Sequence, residues 1–162
     1  MARWRRLRLV IDTMVVIRGA RAFRQQPPLP TTPELQLLLG WIDDETLFDW
    51  LYSLPILDEY RTILRRLKVP AHAAGRFVNL LRQAGMAVEA RDLGLFSPDP
   101  DDDPFYHCAL VGHADAIVTD NIADFPPIPS RKRPEMLTPV AIVARLQGTQ
   151  TPRGRGHERR RR

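Results

Sequence analysis

Ser97 to Leu110, SPDPDDDPFYHCAL, sets Asp99, Asp101, Asp102 and Asp103 within five positions. Carboxylates crowded like this repel and raise one another's pKa unless a positive charge lies among them, and a divalent cation is the usual one. Further acids stand where apolar runs give way to turns: Asp12 after LRLVI, and Asp120 and Asp124, with Asn121 between them, in VTDNIADF. Oxygen donors with no His or Cys partner suit Mg²⁺ or Mn²⁺. Each acid also has an ordinary explanation. Asp102 and Asp103 suit the first turn of a helix, with Asp101 as its cap. Asp120 and Asp124 suit turns, and Glu59 suits a helix surface paired with Arg61 or Arg65. Asp12, closing a buried strand, is the hardest to explain without a function.

Other chemistries leave no trace. Asp99, Asp101 and Asp103 begin a calcium-loop pattern, but Pro104 takes its glycine position and Leu110 its bidentate glutamate. An aspartyl-phosphatase pattern wants a second acid two residues after Asp12, where Met14 stands. The phosphate-binding glycine loops, the GxSxG elbow and HExxH do not occur. His72, His107, His113 and His157 show no ligand spacing, while Cys108, Trp4, Trp41 and Trp50 are expected to pack.

The elements that must position these acids follow from periodicity. LRLVID predicts a buried strand with Asp12 at its carboxyl end, and VVIRGARAF a helix. QQPPLPTTPE is a break, after which Thr32 caps and Pro33 starts a helix that ends near Gly40. TLFDWLYS predicts a second strand. SLPILDEYRTILRRL predicts a helix capped by Ser53, with Leu54, Leu57, Tyr60, Ile63, Leu64 and Leu67 as its apolar stripe. A helix closed by Gly85 leads to MAVEA as strand three, and an acidic-fronted helix to DAIVT as strand four. EMLTP is a weak fifth strand, and Thr138 and Pro139 open the last helix. Alternating strands and helices predict an α/β sandwich with a mainly parallel sheet, whose ligands bind beyond the carboxyl ends of the strands. The loops carrying Asp12, Asp99 to Asp103, and Asp120 to Asp124 should therefore open on one edge, with Glu59 beside them.

The chain has 162 residues, enough for one core, and no apolar run approaches the ~20 residues of a membrane span. Asp12 interrupts the apolar opening too early for a signal peptide, and one cysteine permits no internal disulfide, so a cytoplasmic location is expected. The net charge of +5 is accounted for by the last ten residues, which hold six Arg and one Glu. Arg3, Arg5, Arg6 and Arg8 make the start basic as well, so basic ends flank an acidic body. Such ends suit a polyanion, or are solvated arms.

Taken in order, these segments resemble the PIN-domain nucleases, and within them the toxin ribonucleases of bacterial toxin–antitoxin pairs. VIDTMVVI is similar to that family's opening strand, which ends in Asp-Thr-Asn. SLPILDEYRTILRRL resembles its serine and, six residues on, its glutamate, which places the latter at Glu59. DPDDDPFYHCALVGHADAIVTDNIADF, the most specific of the three, places the third acid at Asp102, the fourth position at Asn121, an extra acid at Asp124 and the family's threonine at Thr119. Met14 departs from the usual Asn, and the proline-rich connection is longer than in a minimal member.

The resemblance spans most of Leu7 to Leu146. It implies a three-layer α/β/α sandwich over residues 1–148, with a basic, disordered tail at 149–162 outside it. It implies a Mg²⁺- or Mn²⁺-dependent endoribonuclease. Asp12 and Asp102 would hold the ion, Glu59 and Asp124 or Asn121 would complete its shell, and Thr119, Asp120 and Asp99 would support them. Arg61, Arg65 and Arg66 would gather RNA. A homodimer and a cognate antitoxin protein are further implications, with no membrane partner. The rival expectation is a weakened, non-catalytic RNA-binding or protein-interaction module on the same fold, marked by Met14.

Overall fold

The computed structural model describes residues 5–24 and 32–150. Within these residues five parallel strands form one sheet in the order β3-β2-β1-β4-β5: β1 Arg8–Ile11, β2 Asp49–Tyr52, β3 Met86–Ala87, β4 Ala116–Val118 and β5 Glu135–Leu137. Among the described residues six α-helices join them: α1 Thr13–Arg24, α2 Pro33–Asp43, α3 Leu54–Arg66, α4 Ala71–Ala84, α5 Asp103–Val111 and α6 Pro139–Gln150. The result is the expected α/β/α sandwich with a wholly parallel sheet. Leu9, Val10 and Ile11 of β1 and Ala116, Ile117 and Val118 of β4 are buried, the continuous apolar run of strands covered on both faces.

β1 is the centre of the sheet, with β2 on one side and β4 on the other. All strands point the same way, so the residue following each one emerges on a common edge. The order also reverses beside β1, where the chain passes from β2 and β3 to β4 and β5, and such a switch point opens a crevice at that edge. An aromatic group of Trp41, Phe48, Trp50, Tyr60 and Phe77 fills the core, Trp41 and Trp50 meeting edge to face at 5.1 Å.

Several boundaries differ from the sequence reading. α2 continues past Gly40 to Asp43 because Trp41 is wholly buried and donates its indole N–H to Phe48 O at 3.2 Å. That burial outweighs the ~1 kcal/mol that a glycine costs a helix. Leu54, the first residue of α3, is 72% exposed, and Ile56 and Leu57 of the same turn are the ones in the core. Ser53 stands at the cap position but makes no capping hydrogen bond. Strand three shrinks to an exposed two-residue edge at Met86–Ala87, paired only to β2. Trp4, His157, the proline-rich connection through residue 31 and most of the basic tail lie outside the described residues.

Candidate active site

Asp12 is the first residue beyond β1 and is 5% exposed. Its N–H donates to Val118 O at 2.9 Å, so the pairing of β1 with β4 runs up to the acid itself. Its Oδ2 accepts the Thr119 hydroxyl at 2.8 Å, and the Thr119 N–H donates to Leu137 O at 2.9 Å. Thr119 thus ties the acid to the ends of β4 and β5. On the other flank the Tyr60 hydroxyl donates to Ile11 O, fixing α3 against the end of β1. Glu59, one residue before Tyr60, is thereby brought to the same edge.

The aspartate-rich segment resolves into separate roles. Asp99 accepts the Asp101 N–H at 3.0 Å and caps a short 3-10 turn, Pro100–Asp102. Asp103 is buried, and its Oδ1 accepts the N–H groups of Phe96 and Ser97 at 2.8 and 2.9 Å, folding the preceding loop onto α5. Asp101, expected as a cap, is exposed and lies inside the 3-10 turn that Asp99 caps, one position before the residue that heads α5. Asp102 stands at the head of α5, half-buried, with no side-chain capping bond. It meets the charges of Asp12, Glu59 and Asp124.

Those acids act on one another. Asp102 is pushed up to about 7 by burial and then by the charges of Asp12, Asp99, Asp124 and Glu59. Burial raises Asp12 most, against hydrogen bonds from Thr119, Met14 and Thr13 that lower it, and Asp124 adds to the rise. Glu59 is raised by burial, lowered by the neighbouring Thr13 hydroxyl, and raised again by Asp12 and Asp101. Thr13 lies beside Glu59 without closing a hydrogen bond of good geometry. Asp124 accepts the Asn121 side-chain amide, the Asn121 N–H donates to Thr119 Oγ1 at 3.0 Å, and Ser97 Oγ donates to Asp124 O at 2.9 Å. The loops after β1 and β4 and the segment before α5 are therefore stitched into one rim.

None of the largest influences on Asp12, Glu59 or Asp102 is a cation. Four carboxylates, all-oxygen donors and no compensating charge fit a hard divalent ion. Among the described residues, however, no three His, Cys, Asp or Glu side chains are already arranged to grip one. Binding would have to draw the rim together.

A family model for the PIN domain matches residues 8–123. The chain belongs to the PIN-domain family. PIN domains are a nuclease fold and generally depend on a divalent metal. No curated protein matches the chain. The matched region covers Asp12, Glu59, Asp102, Thr119 and Asn121 and stops one residue before Asp124, leaving β5 and α6 outside it.

The remaining expected residues of this PIN domain fall in different places. Asp120 stands behind the rim, raised to about 6 by burial and by Glu34, with Arg18 at 3.4 Å opposing the rise. Arg61, Arg65 and Arg66 lie on the exposed side of α3. Arg61 pairs with Asp58 at 3.2 Å rather than with Glu59. Arg61 and Arg65 line a cleft of about 320 Å³ between α3 and α4. Met14 is 40% exposed, and its N–H lies 3.5 Å from Asp12 Oδ1, so the backbone still faces the acid where the usual Asn side chain is missing. Thr13, Ser97 and Tyr60 were missed by sequence reasoning. Thr13 had a signal, since it follows the key acid directly, whereas Ser97 and Tyr60 act through contacts that only the folded chain creates. Among the described residues no helix is long and apolar enough to cross a membrane.

Proposed function

We propose that this PIN domain is a Mg²⁺- or Mn²⁺-dependent endoribonuclease, and that it is the toxin of a toxin–antitoxin pair, acting in the cytoplasm as a homodimer under a cognate antitoxin protein. The observation that carries the catalytic part is buried Asp12 at the end of the central strand, in the field of Glu59, Asp102 and Asp124 with no cation among its main influences. Asp12 and Asp102 would hold the ion, with Glu59 and Asp124 completing its surroundings. Thr119 orients the Asp12 carboxylate, Asn121 and Ser97 hold the Asp124 loop, and Asp103 holds the segment that presents Asp102. When bound, the ion supplies charge stabilisation at the scissile phosphate and a more acidic water, so no protein nucleophile is needed. The toxin role, the homodimer and the antitoxin rest on the sequence resemblance alone.

One observation favours the rival, non-catalytic reading: no three carboxylates among the described residues stand ready to chelate. The two part in a single experiment. Purified protein is given a mixed RNA pool with Mg²⁺ or Mn²⁺, alongside Asp12→Asn and Asp102→Asn variants checked for folding by circular dichroism. The nuclease reading expects metal-dependent cleavage by the parent and its loss in both variants. Cleavage that survives in both, or a parent whose melting temperature and activity ignore the metal, decides for the rival.

A further inference from the structure

The edge opposite the acids carries the reverse charge. At the start of β4, Asp115 is buried, and its Oδ1 is 2.6 Å from Arg5 Nη2 and 2.9 Å from Arg133 Nη1. Its Oδ2 accepts the Arg8 N–H at 2.8 Å. One carboxylate thus holds two guanidiniums side by side, both more than half exposed. Together with Arg131 and His113 they line a cleft of about 380 Å³ between the start of β1, the end of α5 and the segment leading to β5. Among the described residues no carboxylate pairs with Arg131. The cleft therefore carries more positive charge than Asp115 can neutralise, and two of its guanidiniums are fixed before any ligand arrives. A planar guanidinium held in place with free N–H groups suits phosphate oxygens.

The described residues nearest both basic ends reach this edge. Arg5 to Arg8 lead directly into β1. Arg145, in the second half of α6, pairs with Glu135, the first residue of β5, at 3.3 Å. α6 therefore returns to the same edge, and the sequence beyond it holds the arginine-rich final ten residues.

We propose that this cleft binds the phosphodiester backbone of single-stranded RNA away from the cutting edge, as a second anchoring site. The RNA identity rests on the nuclease reading above, while the phosphate chemistry rests on the arginines. β1 spans its four residues between the two sites, about 13 Å at ~3.3 Å each, so only an RNA long enough to wrap the sheet reaches both.

The test is fluorescence anisotropy in EDTA, which withholds the metal that cleavage would need, with a labelled RNA, long or reduced to a trinucleotide. Arg133→Ala would strip a partner from buried Asp115 and risk unfolding, so the cleft variants are Arg131→Ala and Arg131→Glu, at an exposed position. Arg82→Glu, exposed on α4, controls for net charge. The parent should bind the long RNA more tightly than the trinucleotide. The cleft variants should bind the long RNA about tenfold more weakly, with a salt slope lowered by about 0.7 for each phosphate they no longer neutralise, and Arg82→Glu should not. Long-RNA binding that is absent in the parent or unchanged in both cleft variants overturns the proposal. So does displacement of poly-glutamate, rather than RNA, by the same substitutions, which would make the ligand an acidic protein. Failure of the nuclease reading shows separately, as cleavage that does not depend on Asp12, and leaves this comparison standing.

Discussion

Thr119 and Asp102 carry the most information per residue. Thr119 Oγ1 donates a hydrogen bond to Asp12 and accepts one from the Asn121 N–H, so its hydroxyl links two loops and orients a buried acid. Thr119→Val keeps the shape and removes both bonds. It should lower Mn²⁺ affinity and cleavage by about 10- to 100-fold, as loss of a partner behind a ligand does, measured by calorimetry and by RNA turnover. Asp102 supplies a pH dependence. Folding raises its pKa to about 7, so the folded state holds a proton that the unfolded chain has released, and that stabilisation fades as pH rises from the ordinary carboxylate range through 7. In EDTA, Asp102→Asn should therefore gain melting temperature over the parent as pH goes from acidic to alkaline. Metal affinity of the parent should climb through the same interval, since the ion must displace that proton. A pH-independent difference between the two proteins would contradict this. As candidates, Asp12 was legible because an acid closing an apolar strand is a local pattern, and Asp102 through the resemblance of its segment to the PIN family. Asp103 was legible only as one more acid of a run, because its bonds to Phe96 and Ser97 depend on how the loop turns back.

Elements decide where these residues point. α3 is positioned by the Tyr60 hydroxyl on Ile11 O and by the packing of Tyr60 against Trp50 and Phe77. Tyr60→Phe keeps the packing and orphans a buried carbonyl, which should cost about 1–3 kcal/mol in urea unfolding. It should also weaken cleavage by loosening Glu59 relative to Asp12, whereas a purely structural role would lower stability alone. The segment before α5 depends on Asp103 in the same manner. Asp103→Ala releases the Phe96 and Ser97 amides, so their hydrogen exchange should quicken, and Asp102 should lose its place in the rim. Most helices and strands were legible, because α1, α3 and α4 show helical apolar spacing and β1 and β4 are short apolar runs. The exceptions were positions where burial overrode local preference, such as α2 running through Gly40 to bury Trp41.

At the scale of the molecule the charge is divided between two edges. Asp12, Glu59, Asp102 and Asp124 gather where the strands end, and Arg5, Arg131 and Arg133 where they begin. An RNA ligand would be drawn to the basic edge and meet the acidic one only with a metal present. Removing residues 151–162, whose sequence reads as a basic arm outside the PIN domain, should leave the melting temperature unchanged. It should also flatten the salt dependence of RNA affinity. A fall in melting temperature would place those residues within the fold.

The sequence by itself determined the order of strands and helices, the α/β class and the identity of the acids, because periodicity, caps and short motifs are local. Only the tertiary structure decided which aspartates face the rim and which brace a loop, and that Asp115 gathers Arg5 from before β1 and Arg133 from before β5. Those outcomes depend on residues up to about a hundred positions apart meeting across a parallel sheet, and no short-range pattern encodes which side chain a distant one will touch.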